Sequence, residues 1–198
     1  MSNILHKRAG YKKADAKFSA SIFLNSAANN KHIFIQIRNS ACPQFTEKMK
    51  KHITSELKQK NLQIVSDPIA AEFLLQANIV QCEQSNRTGV QHAIDKGYGS
   101  PIDHSVKEIN QPIKDFVVDE NIILSIIADL QISERIANTT STESKLDLAD
   151  KKHVVKSWKQ YQTRLAITKK PIIKHDFNSS AIWLIEELAR AITRVFAQ

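Results

Sequence analysis

The chain has 198 residues, 42% hydrophobic and 24% charged, which suits a folded domain with its own core rather than a disordered chain. No apolar run reaches the ~18–20 residues that cross a bilayer: the richest, Ile122 to Leu130, is broken by Ser125 and Asp129, and the opening Met-Ser-Asn-Ile-Leu-His-Lys-Arg has no hydrophobic signal region. The net charge of +8 is unevenly placed, with 12 Lys/Arg against 3 Asp/Glu in residues 1–60 and 16 against 17 in the remainder.

A basic first third suits an anionic surface, either nucleic acid or lipid head groups; the plainer reading is a solvated arm followed by a lysine-rich helix face. Residues 1–16 hold Gly10 and no apolar periodicity, so they read as a flexible basic lead-in. Within them Lys7, Arg8, Lys12 and Lys13 are candidates for a membrane-proximal arm. The folded domain is expected over 17–198, opening with a weak strand from Lys17 to Leu24. Residues 32–38 alternate, with Ile33, Ile35 and Ile37 on one face and Phe34, Gln36 and Arg38 on the other. Asn39-Ser40 and Pro43 break that run.

A helix follows from about Gln44 to Gln59, where Phe45, Met49, Ile53 and Leu57 make one apolar stripe and Lys48, Lys50, Lys51 and Lys58 lie elsewhere. Leu62 to Val65 is a short strand before the Ser66-Asp67-Pro68 turn. Glu72 to Gln81 alternates again, with Phe73, Leu75, Ala77 and Ile79 aligned. Residues 83–120 contain three of the four glycines, Pro101 and Pro112, and little periodicity, so they are expected to form a polar excursion.

The strongest strand comes next, with Ile122, Leu124, Ile126, Ala128, Leu130 and Ile132 on one unbroken face. Residues 138–157 are polar and charged, as an exposed hairpin tip would be, and Trp158 to Thr168 supplies the partner strand. A last helix is predicted from about Ser179 to Ala197, capped by Asn178 or Ser179, with Ile182, Ile185, Leu188, Ala189, Ile192 and Phe196 on its buried stripe. The expected fold class is α+β: an antiparallel sheet of about five to six strands packed against two helices.

Motifs for catalysis are missing. The close glycine pair Gly97-Tyr98-Gly99 is followed by Ser100-Pro101, not by a phosphate-binding helix start, and no Gly-x-Ser-x-Gly occurs. No two of the seven histidines fall at i, i+4 on a predicted helix, and no Cys-x-x-Cys pair exists. Asp103-His104-Ser105 are neighbours in the chain, whereas a triad is assembled in space. Glu186-Glu187 and Asp119-Glu120 read as solvated charge. The basic third lacks interleaved aromatics, so no specific nucleic-acid partner is expected. Cys42 and Cys82 could bridge in an oxidising compartment, but free buried thiols are the expectation. The residues alone point to a non-enzymatic α+β binding or structural module without catalytic residues, metal or cofactor.

Four stretches carry a family resemblance in order: Phe34-Ile35-Gln36-Ile37-Arg38-Asn39, Asp67-Pro68 through Leu75-Gln76-Ala77-Asn78-Ile79, Asp129-Leu130-Gln131-Ile132-Ser133-Glu134-Arg135, and Tyr161-Gln162-Thr163-Arg164. They resemble TraT proteins, the surface-exclusion and complement-resistance lipoproteins of Gram-negative conjugative elements. The resemblance implies an outer-membrane protein, lipid-anchored in its full-length form, that associates with itself as a cyclic homo-oligomer. It also implies a block on mating-pair stabilisation through donor-cell conjugation components, with no enzymatic activity or cofactor. A periplasm-facing adaptor of a conjugation or secretion machine is the alternative.

Two features depart from the family. Met1 stands about where the lipid-bearing cysteine belongs, and the Gly/Ala-rich apolar segment is replaced by a short polar link, Ser100 to Phe116. The expectation is a soluble form of such a protein, either a naturally soluble homologue or, as the favoured alternative, an engineered mature form lacking its anchors.

Overall fold

The computed structural model describes residues 14–25, 31–102, 122–139, 154–170 and 177–197, the side chains of 137–139, 154–156 and 177–179 excepted. The lead-in residues Lys7, Arg8, Lys12 and Lys13 lie outside this set, as do Asp103-His104-Ser105 and Asp119-Glu120. Six strands form one sheet in the order β1-β6-β5-β4-β2-β3. They are β1 (Asp15–Phe18), β2 (His32–Asn39), β3 (Gln63–Val65), β4 (Phe73–Asn86), β5 (Ile122–Thr139) and β6 (Val154–Lys169). Among the described residues three helices accompany them: α1 (Thr46–Gln59), α2 (Arg87–Lys96) and α3 (Phe177–Arg194).

The α+β class agrees with the sequence reading, but the sheet is mixed rather than antiparallel. Strand β2 runs parallel to both β3 and β4, while β1, β6, β5 and β4 pair antiparallel in turn. The cause is α1. A helix between two strands returns the chain to the end it started from, so β3 enters alongside β2 in the same direction. The alternation that reveals a strand is silent on the direction of its neighbour.

Helix α1 forms because Met49, Ile53 and Leu57 stack on one face, all fully buried. It ends at Lys60. There Asn61 takes a left-handed conformation (φ 60°), its N–H donates to the Lys58 carbonyl, and that of Leu62 donates to Leu57. This is a Schellman stop, with Leu62 as its buried hydrophobic contact. Helices α1 and α3 cover one face of the sheet. Between them and the sheet lie Ile33, Phe73, Leu75, Ile79, Leu124, Ile126, Leu130, Ile132, Leu165 and Ile167 from the strands, and Leu184, Ile185, Leu188 and Ile192 from α3.

Two further expectations are corrected. The described part of 83–120, residues 83–102, holds regular elements: β4 continues to Asn86, which then caps α2 by accepting a hydrogen bond from the Gly89 N–H. The ten-residue α2 buries only Val90, Ala93 and Ile94, too few positions for periodicity to stand out among polar residues. Nor are the cysteines free. Cys42, in the turn after β2, is bridged to Cys82 on β4, with Cα atoms 6.0 Å apart. A bulge between Ile79 and Gln81 shifts the register, so that Cys82 faces the main core.

Candidate interaction face

Among the described residues, the face of the sheet opposite α1 and α3 is covered at one end. Helix α2 caps one end of it, where Val90, Ala93 and Ile94 pack on Ile123, Ile127 and Ala166. Beyond α2 the strands present polar side chains in register. Gln36 stands opposite Gln76, Gln76 opposite Gln131, and Gln131 opposite Gln162. Their carboxamides form a one-way ladder. Gln162 donates to Gln131 at 2.8 Å, Gln131 to Gln76 at 3.0 Å, and Gln76 to Gln36 at 2.7 Å. Each carboxamide in such a row keeps hydrogen-bonding capacity beyond its ladder bond, because an amide has two N–H groups and two oxygen lone pairs. Gln36, Gln76 and Gln131 are half-buried and Gln162 is exposed.

One register step toward α2, Asp129 faces Arg164. The Arg164 side chain is fully buried. Its Nε donates to Asp129 Oδ1 at 2.6 Å, its Nη2 to Asp129 Oδ2 at 2.9 Å and to the Ser100 carbonyl at 2.7 Å, and its Nη1 to the Ala93 carbonyl at 3.1 Å. The Gly99 N–H donates to Asp129 Oδ2 at 3.1 Å. A desolvated ion pair is tolerated when its remaining donors and acceptors are satisfied, and these are satisfied by the end of α2 and the turn behind it. That turn needs its glycines, for Gly97 and Gly99 both have φ of +74°. The pair therefore clamps α2 and residues 97–100 onto the sheet.

At the other end β5 and β6 run on past the start of β4, paired from Arg135↔Trp158 to Thr139↔Val154. At the root of this ribbon Arg135 lies over the Trp158 ring, 4.7 Å from its centroid, and donates to the Ile69 carbonyl at 2.7 Å. Trp158 and Ile69 are exposed there, Ile69 by 78%. On the core side of the same strands Glu134 is buried; its Oε2 accepts from Tyr161 OH at 3.0 Å and from the Asn25 N–H at 2.8 Å. Burial pushes the Tyr161 phenol above its ordinary value. A hydrogen bond to Lys159 opposes this, and the hydrogen bond and charge of Glu134 add to it.

Among the described residues no group of three His, Cys, Asp or Glu side chains converges as a metal site would. A shallow groove of about 500 Å³ between β1 and α2 is lined by Lys17, Phe18, Ser19, Gln91, Ile94 and Asp95. Its polar groups are already engaged, Lys17 with Gln91 and Gln91 with Asp95. Glu187 pairs with Arg190, which also reaches Glu186 and Glu56 of α1. The ladder and the clamp escaped the sequence reading because cross-strand register is a tertiary fact; their only linear trace was polar residues at alternate positions of strong strands.

The arrangement defines an α+β fold with α1 and α3 on one face of a mixed sheet and, on the other, α2 beside a row of linked amides. The family description "Enterobacterial TraT complement resistance protein" matches residues 13–107, so over that stretch the chain is similar to TraT proteins. No curated protein matches. Among solved structures the chain is similar to the PelC dodecamer from Paraburkholderia phytofirmans, at 12% identity and a TM-score of 0.37, over 91% of this chain and 97% of that one. It is also similar to a DUF4136 family protein from Bacteroides thetaiotaomicron, at 10% identity and a TM-score of 0.40, over 92% and 97%.

Proposed function

We propose that this chain is a non-enzymatic protein of the Gram-negative envelope that acts by presenting a surface. Its roles are surface exclusion during conjugation, by blocking mating-pair stabilisation, and complement resistance. The observation that carries this reading is the TraT match over residues 13–107. The Cys42–Cys82 bridge supports it independently, because such bridges persist in oxidising compartments such as the periplasm and cell surface.

The full-length protein is lipid-anchored in the outer membrane and assembles there as a ring of identical subunits. An anchor confines subunits to a plane and raises their effective concentration, so that weak lateral contacts become productive. Identical subunits touching head to tail close into a ring when the rotation permits.

Mating assays test the exclusion role. Recipient cells expressing the full-length gene should take up a plasmid of the same exclusion group less often than cells carrying the empty vector. Equal transfer would remove the role and leave the adaptor reading. Light scattering on detergent-solubilised full-length protein tests the ring, and a monodisperse monomer across micromolar concentrations would refute it.

A further inference from the structure

The outward side of α1 bears an unneutralised row of lysines. At about 100° per residue, Lys48, Lys51, Ser55 and Lys58 fall within an arc of about 80°, opposite the buried stripe of Met49, Ile53 and Leu57, over roughly 15 Å of helix. Lys51, Ser55 and Lys58 are exposed and Lys48 half-exposed. Among the described residues no acidic side chain lies within ion-pair distance of any of these lysines, although Glu47–Lys51 has the i, i+4 spacing that often bridges. Glu47 borders the row, exposed and in no ion pair among the described residues, while Glu56, Glu186 and Glu187 gather round Arg190, with His52 3.9 Å from Glu186.

Folding gives no reason for this row at its N-terminal end. Lys48 sits in the first turn, where the helix dipole disfavours a cation, and Lys51 repels it from one turn on. We propose that this stripe of α1 seats the protein on an anionic bilayer, through phospholipid head groups. A flat, diffuse negative surface suits a straight row of flexible point charges. Nucleic acid would call for stacking side chains, and the stripe has no aromatic residue and no arginine.

The consequence is an orientation beyond the exclusion role itself. With α1 against the bilayer, the glutamine ladder on the opposite sheet face points away from it, toward other molecules.

The test is co-sedimentation of the whole chain with phosphatidylcholine vesicles, with and without phosphatidylglycerol, in low salt. Three proteins are compared: the parent; Lys48→Gln/Lys51→Gln/Lys58→Gln; and Lys7→Gln/Arg8→Gln/Lys12→Gln/Lys13→Gln. Each lysine near such a surface contributes about fivefold in affinity. The α1 variant should therefore bind phosphatidylglycerol vesicles at least tenfold more weakly than the parent, with a melting temperature equal or higher. The matching triple Lys→Arg variant should keep its binding. Undiminished binding by the α1 variant, or a loss seen only with the lead-in variant, overturns the proposal. So does tighter binding of the parent to duplex DNA than to vesicles, lost in the α1 variant, which would make the stripe a nucleic-acid surface.

Discussion

Arg164 and Asp129 meet across the β5–β6 pair as a two-pronged ion pair, Nε to Oδ1 at 2.6 Å and Nη2 to Oδ2 at 2.9 Å, out of contact with bulk water. Removing one partner strands the other. Arg164→Ala should cost about 3–5 kcal/mol, because Asp129 keeps a buried charge and the Ala93 and Ser100 carbonyls lose their donor. Arg164→Met combined with Asp129→Leu should recover most of that loss. Urea melts of the parent, Arg164→Ala and the double variant measure it; a double variant no more stable than Arg164→Ala would contradict the coupling of the two residues.

Leu130 lies fully buried on the apolar face of β5, between Ala77 and Thr163. Leu130→Asp would place an unpaired carboxylate there and should abolish the folded state at 25 °C. Circular dichroism with a thermal scan checks this, and a cooperative melt near that of the parent would contradict the packing described.

The Cys42–Cys82 bridge spans 40 residues of chain. By loop-closure entropy a cross-link of that span stabilises by about 4 kcal/mol. Cys42→Ser/Cys82→Ser should lose about that much, and reductant should lower the urea midpoint of the parent while leaving the double variant unchanged.

Tyr161 provides a titration with a defined sign. Its folded-state pKa is raised, so the native protein holds the phenol proton to higher pH than the unfolded chain does. Its contribution to stability is whole below the ordinary tyrosine value and is lost as pH rises through the raised one. Ultraviolet titration of the parent minus Tyr161→Phe should give a midpoint above that of free tyrosine. In the variant the alkaline loss of stability should be smaller.

Much of the fold was visible in the sequence where burial is one-sided and long. The faces of β4, β5 and α1 were each assigned from period alone, and Met49, Ile53, Leu57, Leu124 and Leu130 are fully buried as their spacing required. Strand direction and the brief α2 were not visible, since neither leaves a periodic trace. The interaction face was legible only in pieces. Each of the four stretches that resemble TraT contributes one glutamine to the ladder, Gln36, Gln76, Gln131 and Gln162, and the last two also carry Asp129 and Arg164. In the chain they are separated fragments; pairing makes them one surface.

Among the described residues the outermost strand at one edge is β1, residues 15–18, which pairs with residues 165–168 of β6. During synthesis β1 thus emerges long before its partner, with most of the described chain between them. Such non-local closure is slow, on the order of milliseconds to seconds for topologies dominated by it. Until it happens the outer edge of β6 is an open template for another chain.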